Sequence, residues 1–223
     1  MRTYPRFTQE TFPRTLVLAN GAFPTAPAPL SLIDSWSQGK EGYTLTCCDG
    51  AVNKLRRYTE HLPDAVIGDL DSVSPALKDL LAGRIQHFSD QDTNDLTKTF
   101  RYLHARHGKQ SITLLGASGG REDHLLANLA LLPSYAPLVD DLVMLTDEGY
   151  FLLITEPSKI EVLVGQQISI FNFQLTPISL SGVRWSLVDA TLPALWCGSL
   201  NCAIEKEITV HTTVPILIYL ANV

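Results

Sequence analysis

Four short apolar segments, 15–19, 43–47, 65–67 and 112–115, are each followed by glycines and polar residues. The followers are Asn20 and Gly21, Asp49 and Gly50, Gly68 to Ser72, and Gly116 to Arg121. A fifth apolar segment spans 142–146. Short apolar runs bounded by turn residues mark strands buried on both faces. Helical patterns lie between them. Over 93–107, Leu96, Phe100 and Leu103 share one face, and over 122–132 Leu125, Leu129 and Leu132 do the same. The stretch from Pro24 to Pro29 reads as a loop leading into a short helix. This alternation predicts an α/β unit whose mainly parallel sheet is covered on both faces. In such a sheet ligands bind beyond the carboxyl ends of the strands, where these loops would meet.

The pattern changes towards the C-terminus. Segments 160–164, 168–173, 178–180, 183–187, 204–211 and 216–220 are short and often β-branched, and no convincing helix interrupts them. They predict a smaller antiparallel β-sandwich or half-barrel. Charge thins out at the same place: residues 1–149 carry 14 basic and 18 acidic side chains, residues 150–223 only 3 and 5. Both changes place a domain boundary near Glu148 and Gly149, giving an α/β domain over 1–148 and a β-sandwich over 149–223. The chain's 223 residues suffice for two small domains.

A net charge of −6 argues against nucleic acid or an anionic membrane as partner. No apolar run approaches the ~18 residues of a membrane span, and residues 1–5 have no apolar leader core. Cys47, Cys48, Cys197 and Cys202 are too few for a disulfide scaffold and lack the histidine partners of a zinc site. They read as free thiols in a reducing, cytoplasmic setting. Cys47 and Cys48 look like buried strand positions, and Trp36 and Trp196 like packing residues.

The sharpest polar feature is the Asp69-x-Asp71 pair. In an extended segment residues two apart point the same way, and two adjacent carboxylates repel unless a cation lies between them. An oxygen-only set favours Mg²⁺ or Ca²⁺; a solvated turn is the bland alternative. The block Asp90 to Asp95 precedes a helix, so Asp92 or Thr93 is expected to cap it. Lys98, one turn after Asp95, either meets a phosphate or pairs with that carboxylate.

Gly116 to Arg121 has two chemical readings. A glycine turn before a helix offers backbone N–H groups to phosphate, with Arg121 as a bidentate clamp. Gly116-x-Ser118-x-Gly120 also fits the nucleophile elbow of serine hydrolases. The later histidines are His124, too close for the usual chain order, and His211 in a strand pattern. His124 and Asn128 share a helix face, and Trp185 reads by default as a sandwich-core residue. Neither the Walker A nor the dinucleotide glycine fingerprint is present.

Four blocks in order resemble the thiamine pyrophosphokinase (thiamine diphosphokinase) family: Cys48 to Asn53, Pro63 to Ser72, Asp90 to Lys98, and Gly116 to Asn128. A weaker match covers Gly182 to Leu187. The resemblance implies an α/β nucleotide domain followed by a thiamine-binding β-sandwich, working as a homodimer with sites at the subunit interface. It implies Mg²⁺ near Asp69, Asp71 and Asp95. It implies ATP contacts from Gly119, Gly120 and Arg121, with Asp49, Asn53, Lys98, Asp123 and His124 nearby; the strand-end residues Asn20 and Gly50 join that set. By similarity Trp185 stacks on the thiamine pyrimidine, with Ser199 and Asn201 beside it. Ala51 stands where the family has a second glycine, Asn94 where it has threonine, and Leu200 where it has the serine of a Ser-Asn pair.

The implied reaction moves a pyrophosphoryl group from ATP to the hydroxyethyl oxygen of thiamine, with Asp71, Asp95 and Arg121 catalytic and Asp71 or Asp95 accepting the proton. The alternatives are a serine hydrolase using Ser118, a diphosphokinase for another heterocyclic alcohol, and a non-catalytic nucleotide- or thiamine-binding protein.

Overall fold

The computed structural model describes residues 1–90 and 92–222; Gln91, in the acidic block above, and Val223 lie outside the described residues. After β1 (Arg2–Tyr4) come β2 (Thr15–Leu18), α1 (Pro27–Ser37), β3 (Thr44–Cys48), α2 (Ala51–Tyr58), β4 (Ala65–Gly68) and α3 (Pro75–Leu80). Next are β5 (Ile85–His87), α4 (Asp95–His107), β6 (Ser111–Leu115), α5 (Glu122–Leu131) and β7 (Asp141–Leu145). Then follow β8 (Gly149–Ile154), β9 (Ser158–Glu161), β10 (Gln167–Phe171) and β11 (Ile178–Ser181). The last strands are β12 (Leu187–Ala190), β13 (Asn201–Cys202), β14 (Glu207–His211) and β15 (Ile216–Ala221). The chain adopts a mixed α/β fold. It forms two compact units, one of residues 13–128 and 137–147, the other of residues 1–12, 129–136 and 148–223.

In the first unit six strands pair in the order β7-β6-β2-β3-β4-β5, every pairing parallel. Their interiors are continuous apolar runs: Leu16, Val17, Leu45, Val66, Ile67 and Leu114 are wholly buried. Such strands need cover on both faces. α4 supplies part of it, packing on β3 and β4 with Leu96, Phe100 and Leu103 buried. Its N-cap is Asn94, whose side chain accepts from Thr97 N at 2.8 Å. Asp92 and Thr93 do not cap; Asp90 receives the Asp92 N–H and the Thr93 hydroxyl and closes the preceding turn. α5 forms as expected, yet none of its residues is buried and Leu126 is exposed. Periodicity identifies an apolar face without saying whether anything covers it.

The second unit has antiparallel pairings β13-β10-β15-β8 and a second set in the order β1-β9-β14-β11-β12. Within it β1 pairs parallel with β9, Arg2 opposite Ser158. A stacked Phe7–Phe12 pair with Tyr150 edge-on to both also ties the N-terminal dozen residues to this unit. The division is therefore not a single cut in the chain. Segment 183–187 is not a strand: Val183 makes one isolated bridge to Ala203, and the strand begins only at Leu187. All four cysteines are free, with Cys47 and Cys48 buried. No described helix is long and apolar enough to cross a membrane.

Candidate active site

The ends of β3 and β4 and the start of α4 bring carboxylates together. Asp49 follows β3 in the left-handed region, φ 40°, and its N–H donates to Ile67 O at 2.7 Å. Asp69 follows Gly68, the last residue of β4, and Asp95 opens α4. Oxygens of Asp49, Asp69 and Asp95 lie within 4.8 Å of one another. Gly68 permits this approach: a Cβ there would stand 2.8 Å from Asp49 Cβ and 3.2 Å from Asp95 Cγ. Asp49 is buried and its Oδ1 has no hydrogen-bond partner among the described residues. Lys98, also buried, places Nζ 3.1 Å from Asp95 Oδ1. Burial raises the Asp95 carboxyl above its ordinary value; Lys98 opposes this, and Asp49 and Asp69 add to it. Three close carboxylates, one of them paired with the Lys98 ammonium and one carrying an orphaned buried oxygen, form an oxygen-only set that fits a hard divalent cation such as Mg²⁺.

The structure joins Asp69 and Asp95 to Asp49, while Asp71 is exposed and outside that triplet. The reason is local. Leu70 is in the left-handed region, φ 66°, with its side chain buried, so residues 69 and 71 do not share one face as they would in an extended segment. The Asp71 N–H instead donates back to Asp69 Oδ1 at 3.2 Å.

Beside the triplet lies a cleft of about 670 Å³. Asp49 and Asp95 line it with Asn20, the glycine turn at Gly119 and Gly120, Arg121 and His124. Gly119 is left-handed, φ 71°, and a Cβ there would lie 2.5 Å from Ala22 Cβ. Asn128 Nδ2 holds the turn by donating to Ala117 O at 3.0 Å. Arg121 makes a two-point pair with Asp123, Nε to Oδ1 3.1 Å and Nη2 to Oδ2 2.7 Å. That contact lifts the guanidinium and lowers the carboxyl relative to their ordinary values. Both side chains are exposed, so the pair orients Arg121 without adding much stability.

Gly50, Asn53, Lys98 and Asp123 are not among the residues that line the cleft. A Cβ at Gly50 would meet the Asn20 and Ser72 side chains. Asn53 Nδ2 donates to Ser72 O at 2.7 Å and so latches α2 to the loop after β4. Lys54 lines the cleft and was not singled out from sequence. Its Nζ donates to Asn20 O at 2.8 Å and to Gly21 O, and burial, then Arg57, lower its ammonium from the ordinary value. Lys54 stands in α2, one residue past the Cys48-to-Asn53 block. No hydrogen bond joins the Ser118 hydroxyl to a histidine among the described residues.

In the other unit a cavity of about 100 Å³ is lined by Trp185, Ser199 and Asn201, with Cys197 and Gly198 among its walls. Trp185 is exposed and not a core residue; Trp196, 77% exposed, is not a buried packing residue either. Segment 183–187, which holds Trp185, is not the expected strand, and Trp196 lies in a short 3₁₀ turn, Leu195–Gly198. Trp36 is buried, with Nε1 donating to Asp64 Oδ2 at 3.1 Å. Ser199 Oγ donates to Trp196 O at 2.7 Å. Leu200 is exposed and left-handed, φ 62°.

The sequence model described as the thiamin pyrophosphokinase catalytic domain matches residues 40–144, and that described as its substrate-binding domain matches residues 149–219. Thiamine pyrophosphokinase 2 of Oryza sativa subsp. japonica is 24% identical over 205 residues, covering 77% of this chain and 75% of its own. Thiamine pyrophosphokinase 2 of Arabidopsis thaliana is 28% identical over 194 residues, covering 73% and 71%. The crystal structure of yeast thiamin pyrophosphokinase superposes with a TM-score of 0.77 at 18% identity, over 99% of this chain and 90% of its own. That from Bacillus subtilis gives 0.71 at 20%, over 93% and 98%. The chain belongs to the thiamin pyrophosphokinase family.

Proposed function

We infer that the chain transfers the pyrophosphoryl group of ATP to the hydroxyethyl oxygen of thiamine, giving thiamine diphosphate and AMP. The observation that carries this is the carboxylate triplet Asp49, Asp69 and Asp95 beside a glycine turn and Arg121 in one cleft. The α/β unit is the nucleotide-binding part, and the β unit the thiamine-binding part.

The chemistry asks for alignment and charge stabilisation more than for a covalent intermediate. The thiamine hydroxyl oxygen bonds to the β-phosphorus. The bond from that phosphorus to the oxygen bridging it to the α-phosphorus breaks, and AMP leaves with the bridging oxygen. Gly119 and Gly120 present backbone N–H groups to the phosphates. Arg121, pre-oriented by Asp123, exchanges a carboxylate for phosphate oxygens. Asn20, His124 and Lys54 line the same cleft, while Gly50 and Asn53 hold its loops and Lys98 balances Asp95. The triplet would hold Mg²⁺, which supplies positive charge to the phosphate oxygens. Asp71, exposed and outside the triplet, accepts the hydroxyl proton. A carboxylate engaged by a cation is a poorer base, which favours Asp71 over Asp95. Trp185 offers a face to the thiamine heterocycle, with Ser199 beside it. The exposed apolar groups Trp185, Val188, Trp196 and Leu200 support a homodimer, and four free thiols support a reducing compartment, the cytoplasm.

The test incubates the protein with ATP and Mg²⁺, with and without thiamine, and follows AMP and thiamine diphosphate by mass spectrometry. Thiamine-dependent AMP, matched mole for mole by thiamine diphosphate and abolished by EDTA, is expected. AMP formation only with another alcohol, or ATP binding without turnover, would reject the reading. Ser118→Ala should leave the activity standing.

A further inference from the structure

The backbone of 183–185 runs beside 201–203 in the β unit. Val183 bridges to Ala203, and Arg184 N donates to Cys202 O at 2.8 Å. At Trp185 the partner changes from main chain to side chain. Its N–H donates to Asn201 Oδ1 at 3.1 Å, and its carbonyl accepts from Asn201 Nδ2 at 2.9 Å. The carboxamide stands in for a peptide group and continues the ladder by one residue. Asn201 Oδ1 also accepts from Cys202 N at 2.9 Å. Both acceptor sites of the amide oxygen and one of its two N–H bonds are thus engaged by main chain. Asn201 is 9% exposed, whereas the Trp185 residue it holds is 57% exposed. Arg184 Cζ lies 5.6 Å from the indole centroid.

We propose that Asn201 is a positioning residue: it fixes the Trp185 backbone with two hydrogen bonds and serves thiamine through that indole rather than by touching the substrate. This rests on the reading that Trp185 stacks on thiamine. The physical reason is pre-organisation. An exposed indole on an unpaired loop has to be immobilised when the substrate arrives, and a backbone already held on both sides removes that part of the binding penalty. The residue type follows from the geometry. Aspartate of the same length accepts from both N–H groups but turns a second oxygen towards the Trp185 carbonyl; a serine hydroxyl can accept and donate but is too short to reach both groups; a carboxamide of this length accepts at one atom and donates from another.

The experiment is a double-mutant cycle on the full chain, reading kcat and the KM for thiamine and for ATP in the wild type, Trp185→Ala, Asn201→Ala and both together. Trp185→Ala should raise the thiamine KM by roughly tenfold or more and leave the ATP KM unchanged. Asn201→Ala should raise it by about three- to tenfold, with kcat at saturating thiamine within about threefold of wild type. In the Trp185→Ala background, Asn201→Ala should add less than about twofold. Asn201→Asp repeats the cycle if the alanine variant does not fold, with an unchanged ATP KM showing that the chain is intact. An Asn201 effect that persists in full without the indole overturns the proposal and leaves Trp185 as the stacking face. A thiamine KM indifferent to Trp185→Ala overturns the stacking reading itself, and the proposal with it.

Discussion

Replacing Asp49 by asparagine removes one charge from three carboxylates whose oxygens lie within 4.8 Å. At that distance two unit charges repel by about 3.5 kcal/mol at an effective dielectric constant of about 20, and by about 0.9 kcal/mol in bulk water. Asp49 is buried, but Asp69 and Asp95 are only half-buried, so each contact falls between these limits. Asp49 faces two such partners, and the Lys98 ammonium beside Asp95 offsets part of the repulsion. Asp49→Asn should therefore stabilise the metal-free protein by about 1–3 kcal/mol. For a chain of this size each kcal/mol raises the unfolding midpoint by about 2–4 °C. A cation held by the triplet should act oppositely: Mg²⁺ at about 100 times its dissociation constant should stabilise the wild type by about 2.7 kcal/mol, and the variant should lose most of that gain. Differential scanning calorimetry in EDTA and in excess Mg²⁺ measures both. A variant no more stable than wild type in EDTA, with an undiminished shift in Mg²⁺, would refute the cation-site reading.

Three further outcomes are expected. Gly68→Ala drives a Cβ towards Asp49 and Asp95; it should destabilise by about 1–3 kcal/mol and weaken Mg²⁺ binding measured by calorimetry, and an unchanged Mg²⁺ affinity would show that the close approach is unimportant. Arg121→Lys replaces a two-point fork by a single ammonium and should lower kcat/KM for ATP by roughly 10-fold or more, whereas wild-type kinetics would remove Arg121 from the site. Thiol reagents should label Cys197 and Cys202 in the native protein and spare Cys47 and Cys48. Burial leaves Cys47 at 0% and Cys48 at 3% exposure, and pushes the Cys48 thiol up to about 12. Rapid native labelling of Cys48, followed by peptide mass spectrometry, would contradict that burial.

The α/β unit was largely legible because its strands are continuous apolar runs and its turns end in glycine. Segments 15–19, 65–67 and 112–115 became β2, β4 and β6, and Leu96, Phe100 and Leu103 are the buried face of α4. Less was legible where one residue's backbone decides the outcome. Asp69-x-Asp71 pointed both carboxylates one way only if Leu70 were extended, and its φ of 66° turns Asp71 out while Asp49 arrives from β3. Asp123 lay in a matching block, but only the fold reveals that it holds Arg121. In the β unit the pairing of Arg2–Tyr4 with Ser158, Lys159 and Ile160 joins residues 156 apart, a separation no local pattern encodes. Trp185 looked like a core residue from its neighbours' alternation; its exposure follows from the early end of that ladder and the capping amide of Asn201.

The most direct measurement is the Mg²⁺ dependence of thiamine-dependent AMP release in the wild type, Asp49→Asn and Asp71→Asn. Asp49→Asn should raise the Mg²⁺ concentration for half-maximal rate by about tenfold or more, as a lost cation ligand worth at least 1.4 kcal/mol requires. Asp71→Asn should leave that concentration unchanged and lower kcat by roughly 100-fold, as loss of a proton acceptor requires. The reverse pattern, with Mg²⁺ affinity following Asp71 and indifferent to Asp49, would place the cation elsewhere and contradict the site described.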